Sequence, residues 1–129
     1  MHTLILCLFI ACIIPYISKI PLAIAMSNQP GGYDNNHPRA QQASLTGFGA
    51  RANAGHQNSF ESLIIFSAAI LTALSTQHTS NTIQWLAIIY LVVRCVYHIF
   101  YLLNWATLRS ISWLISIFAS LSIIFMCLT

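Results

Sequence analysis

Arg51-Ala-Asn-Ala-Gly-His-Gln-Asn-Ser-Phe-Glu61 runs without a break into an apolar stretch over residues 62–74. That junction decides the fold. A helix that crosses a bilayer needs about 20 residues, and the apolar stretch has only thirteen. If it spans, its helix must recruit the polar run and carry Arg51, Asn58 and Glu61 to or below the headgroup level. An ionised residue at the centre of a membrane helix costs about 2.5 to 3.5 kcal/mol, so such residues face protein or a wet cavity and mark a site.

The rest of the chain agrees with a membrane setting. Of its 129 residues 57% are hydrophobic and 5% charged, against about 25% charged in a soluble domain. A net charge of +3 spread over dispersed basic residues makes no nucleic-acid surface. Hydropathy places helices roughly over residues 4–25, 51–74, 82–103 and 109–128, with a polar loop over 27–50. The expectation is a single all-α integral membrane domain over 1–129, a four-helix antiparallel transmembrane bundle. The first segment is expected to be a span and not a cleaved signal, because Met1-His2-Thr3 lacks a basic residue and Lys19 follows the apolar run. Pro15 is expected to kink it. Lys19, Arg39, Arg51 and Arg109 flank the first and third connections, which the positive-inside rule puts in the cytoplasm, with both ends of the chain opposite.

Cys7, Cys12, Cys95 and Cys127 lie inside apolar stretches with no CxxC pair and no His/Cys ladder. They read as small hydrophobes, and no metal site is expected. Trp85, Trp105 and Trp113 lie near segment ends and read as interfacial anchors. His37-Pro38 fits a helix start with Pro in the first position, and Asp34, Asn35, Asn36 and Arg39 either cap that helix or cover a site.

Helical spacing aligns Arg51, Asn58 and Glu61 on one stripe, and Arg94, Tyr97, His98 and Tyr101 at i, i+3, i+4 and i+7 on another. Polar faces in lipid seek each other. One outcome is a structural ion pair of Glu61 with Arg94, and His56 and His98 as interhelical hydrogen-bonding residues. The other follows from Arg109. With Arg51 and Arg94 it makes three arginines against one intramembrane acid, a surplus that suits a carboxylate-bearing, thiolate-forming ligand.

Four marks then carry a family resemblance: Tyr33-Asp-Asn-Asn-His-Pro-Arg39, the 51–61 run with its His-x-Asn-x-x-Glu, Arg94-Cys-Val-Tyr97 with Tyr101, and Leu108-Arg109-Ser110. Along nearly its whole length the chain resembles the membrane-associated proteins in eicosanoid and glutathione metabolism, and is most similar to their small bacterial members. The resemblance implies a homotrimer in the bacterial inner membrane, with glutathione or a related thiol held between subunits as co-substrate. It implies that Asn58 and Glu61 hold the glutathione backbone, that Arg51 and Arg94 support carboxylates and the buried acid, and that Tyr97 and Tyr101 line the thiol pocket. Arg109 matches the arginine that stabilises the thiolate. Ala54 and Ser62 stand where the eicosanoid branch carries arginine and tyrosine.

Two functions follow as expectations. One is a transferase or peroxidase-like enzyme acting on lipophilic electrophiles or hydroperoxides, with Arg109 and Tyr101 at the reacting atoms. The other is a noncatalytic scaffold or accessory subunit with the same fold. A transporter would call for an inverted repeat or broken helices, and neither is visible.

Overall fold

A computed structural model describes residues 1–128 of the chain. Its elements are α1 (His2–Ser27), α2 (Pro38–Ser44), α3 (Gly47–Ser75), α4 (Asn81–Leu102) and α5 (Ala106–Met126). The four longer helices are each long and apolar enough to cross a membrane. This is an integral membrane protein with an all-α fold. α3 is the longest, and its 29 residues extend about 43 Å at 1.5 Å each, past a hydrocarbon core of about 30 Å. The surplus takes the polar run into the helix and leaves Arg51 near its start.

The helices alternate in direction, so α3 hands over to α4 at the end of the bundle that holds His2 and Met126. The connection is short, and Ser80 caps α4 by accepting the amide of Ile83 at 3.4 Å. At the opposite end, Leu103 to Trp105 join α4 to α5, with Asn104 at φ +61°. The loop expected over 27–50 is not continuous. Pro38–Ser44 forms α2 with His37 before it, and α3 begins at Gly47, earlier than the expected residue 51. A seven-residue helix is too short to show an apolar periodicity, which hid it in the sequence. α1 stays helical through Pro15 and Pro21.

Packing divides the bundle into layers along its length. Leu4, Cys7, Ala11, Phe66, Ala69, Ile70, Ala73, Ile83, Ala87, Ala119 and Ile123 form an apolar core toward the end with the α3–α4 connection. Leu22, Met26, Leu45 and Ala52 form a smaller one at the other end. Between them lies a polar layer with Ser18, Ser59, Ser62, Arg94, Ser112 and Ser116 buried. Small residues dominate these contacts, as expected where lipid supplies no hydrophobic drive and helices must approach closely to gain dispersion contacts. At Gly49 an added Cβ would stand 3.1 Å from the Leu45 Cβ and 3.3 Å from that of Ala25. Outward, Phe9, Tyr16, Ile64, Trp85, Phe118 and Phe125 are exposed, as lipid-facing side chains are.

Candidate functional site

The polar layer opens toward the end of the bundle that carries α2, and Arg94 is its centre. It stands on α4 eight residues before the helix ends, about 12 Å deep, and is only 1% exposed. Its Nη2 donates to Asn58 Oδ1 at 3.0 Å and to the Asn58 carbonyl at 3.4 Å. The Asn58 amide Nδ2 in turn donates to Glu61 Oε2 at 2.9 Å. Asn58 is thus a relay with its oxygen toward the cation and its nitrogen toward the acid. The Glu61–Arg94 ion pair weighed above does not form directly among the described residues. Asn58, one turn before Glu61, takes the guanidinium with its oxygen and the carboxylate with its nitrogen, and so stands between the two charges. Glu61 itself is exposed on the protomer surface.

The Arg94 guanidinium lies over the Tyr97 ring at 4.1 Å. Tyr97 meets Tyr101 edge to face at 5.5 Å, and the Arg109 guanidinium, from α5, lies over Tyr101 at 4.5 Å. Two cations therefore bracket a pair of tyrosines. Spacing on α4 sets the first three members, and the short turn into α5 brings the fourth. Each cation gains from the negative face of a ring, about 0.5 to 2 kcal/mol depending on desolvation. Arg94 Nη1 is buried and finds no hydrogen-bond partner among the described residues.

Arg51 stands apart from this relay. It shares a stripe with Asn58 along α3, yet it turns toward a cavity of about 310 Å³ between α1, α3 and α4, whose walls include Ile14, Ile17, His98, Ile99 and Tyr101. Its Nε and the His98 Nε2 are both buried and unpartnered among the described residues. Gly55 leaves the room: an added Cβ would lie 3.5 Å from His98 Nδ1 and 3.7 Å from the Tyr101 ring. Tyr101 is the shared wall between this nearly apolar cavity and the cation–tyrosine row. No cluster of three or more His, Cys, Asp or Glu occurs among the described residues.

Beside these residues the structure assembles partners that spacing did not reveal. Ser62 is buried and its Oγ meets the Tyr90 hydroxyl at 2.9 Å, while Tyr90 stacks on Phe66 at 3.8 Å. His56 Nδ1 lies 3.0 Å from the Pro15 carbonyl. A carbonyl only accepts, so Nδ1 carries the proton and Nε2 of the neutral ring is left as an acceptor. In the α1–α2 loop, Asp34 Oδ1 accepts the amides of Asn36 and His37, both at 2.9 Å. The His37 amide foremost holds its carboxyl below the usual carboxylate range. Asp34 therefore orders the approach to α2. Gln41 ties that loop down by donating to the carbonyls of Met26 and Gly32 and accepting the Asp34 amide.

Compared with protein families, the chain matches the MAPEG family over residues 3–129, essentially its whole length. The chain belongs to the MAPEG family. No curated protein and no solved structure matches it. MAPEG membership makes it a membrane protein of a family of glutathione and eicosanoid metabolism. The four spans of the fold and the bundle of this MAPEG protein agree with that membership.

Proposed function

We propose that this MAPEG protein is a membrane-bound glutathione transferase or peroxidase-like enzyme that holds glutathione, or a related thiol, as thiolate and delivers it to lipophilic electrophiles or hydroperoxides. The observation that carries the reading is the Arg94–Tyr97–Tyr101–Arg109 row beside an apolar cavity. The cations lack carboxylates of their own, since the chain has only two acidic residues and one of them, Asp34, is occupied at α2. An anionic thiol donor with carboxylates fits the unpartnered Arg94 Nη1 and Arg51 Nε.

In this reading Asn58 and Glu61 orient the donor's backbone and amino group, and Arg51 and Arg94 take its carboxylates. Arg109 stabilises the sulfur anion, with Tyr101 on the cavity side. Bringing a thiol from about 8.5 to two units lower takes roughly 2.7 kcal/mol of preferential interaction, within the range of one arginine in a semi-dry site. The thiolate sulfur then bonds to the electrophilic carbon, and its leaving group departs or the carbanion takes a proton. With a hydroperoxide the sulfur attacks the outer oxygen, the O–O bond breaks to leave an alcohol, and a second thiol closes the disulfide with release of water.

The functional unit in this proposal is a homotrimer in the bacterial inner membrane, the first and third connections cytoplasmic. Its support is Glu61, a carboxylate exposed on the surface of one protomer within a membrane-spanning helix, which a second copy would cover. The test is thiolate absorbance in the ultraviolet on adding glutathione to the purified protein near neutral pH. A saturable signal is expected, lost in Arg109→Ala while that variant still folds, its melting temperature lowered by no more than the loss of the Tyr101 contact accounts for. Absence of both a signal and a thermal shift with glutathione would defeat the enzyme reading and leave the scaffold or accessory-subunit reading.

A further inference from the structure

A second polar pocket lies between α1, α2 and α3, apart from the residues of the Arg94 relay. It measures about 140 Å³ and is lined by Lys19, Arg39, Gln42, His56, Gln57 and Phe60, so it draws on α1, α2 and α3. No acidic residue lines it. Lys19 and Arg39 share the pocket walls with the His56 ring, and the ring itself is fixed by its bond to Pro15 and by Ser18 at 3.1 Å. Two cations, two amide side chains and a positioned imidazole thus converge without a counter-ion. Mutual repulsion at such a place is relieved by a bound anion.

Depth and surroundings narrow the anion. Lys19 lies eight residues before the end of α1, about 12 Å, and its four-carbon stem carries the ammonium up toward the headgroups. Phe60 makes the lipid-side wall, edge to face with His56 at 5.3 Å and with Tyr16 at 6.2 Å. Tyr16 and Ile20 beside it are 70% and 57% exposed, so an apolar surface leads away from the cations along the membrane. Charge inside and apolar surface alongside match a phosphate with acyl chains.

We propose that the Lys19–Arg39–His56 pocket binds the phosphate of an anionic phospholipid at the membrane interface, with its acyl chains laid along Tyr16, Ile20 and Phe60. Lys19 and Arg39 neutralise the phosphate, and the amides of Gln42 and Gln57 donate to its oxygens. This does not rest on the thiol chemistry above, since it uses none of those residues.

The test compares melting temperatures of the lipid-free protein in one nonionic detergent, at constant ionic strength. The probes are dioctanoyl phosphatidylglycerol, dioctanoyl phosphatidylcholine and inorganic phosphate. A ligand that binds the native state alone raises stability with its concentration. Phosphatidylglycerol is expected to raise the melting temperature saturably and phosphatidylcholine to do so far less. The shift is expected to vanish in Lys19→Gln/Arg39→Gln and to survive in Lys19→Arg/Arg39→Lys, which keeps both charges should the neutral pair fold poorly. An equal shift with inorganic phosphate would overturn the lipid assignment in favour of a soluble phosphate. An unchanged shift in Lys19→Gln/Arg39→Gln, or no shift with any probe, would overturn the site. Loss of the glutathione response in that same variant would overturn it too, by assigning the pocket to the thiol donor.

Discussion

Arg94 is almost wholly buried and meets no carboxylate directly, so its charge rests on Asn58 and the Tyr97 face. A hydrogen bond to a charged group contributes about 1.5 to 3 kcal/mol. Asn58→Leu is therefore expected to destabilise the protomer by about 2 to 3 kcal/mol, measured by reversible unfolding in mixed micelles; a loss below 0.5 would show that Arg94 is held some other way. Glu61 differs because it is exposed and accepts a single bond from Asn58. Glu61→Gln keeps an acceptor there, so melting in the absence of ligand should move little while the thermal shift with glutathione is lost. Equal damage to melting and to the shift would mean that Glu61 serves packing alone. The stripe of Asn58 and Glu61 and the row of Arg94, Tyr97 and Tyr101 were legible from helical spacing, which is a property of one helix. Which way Asn58 turns its amide was not, because the choice is made by a guanidinium 36 residues away in the chain.

At the scale of elements, α2 and the loop before it depend on local hydrogen bonds more than on hydrophobic burial. Asp34 accepts the Asn36 and His37 amides, and these bonds hold its carboxyl below the usual range. The unfolded carboxyl therefore protonates before the folded one as pH falls. These loop hydrogen bonds are fully present above the ordinary carboxylate value and are lost as pH drops through the lower folded value; none of them caps α2, whose N-cap His37 makes no side-chain cap bond. The amide resonances of Asn36 and His37 are expected to titrate together with a midpoint below that of a free aspartate, and to be flat in Asp34→Ala. A midpoint at or above the free value would contradict those two bonds. His37-Pro38 marks the start of α2 in the sequence, and the structure begins the helix at Pro38. Its extent was hidden because seven residues whose only apolar members are Pro38, Ala40 and Ala43 are too few to show an apolar periodicity. Gly47, the first residue of α3, stands at φ +53°, a left-handed backbone that glycine adopts without a steric cost, which lets α3 start close behind α2.

For the whole molecule, the apolar exterior and the alternating spans make lipid the solvent of most of the surface. Glu61 breaks that surface. An ionised carboxylate within a membrane-spanning helix carries a cost of a few kcal/mol where it meets acyl chains, a cost that the proposed assembly would remove. Native mass spectrometry of the detergent-solubilised protein is expected to give a trimer that Glu61→Leu still forms and that binds no glutathione. A monomer in wild type across detergents would refute the assembly.

Hydropathy and charge, which are sums over neighbours in the chain, determined on their own that this is a membrane protein of four long helices with its charged residues gathered at one end. The motifs of α3 and α4 pointed to the family for the same reason, since each lies within one helix. Only the tertiary structure decided that Asn58 stands between Glu61 and Arg94, that Arg51 faces the cavity with Tyr101, and that Lys19, Arg39 and His56 share a pocket. Those relations join residues on different helices. They are set by how closely small side chains let the helices approach and by the rotation each helix adopts, and neither quantity is written in any one segment.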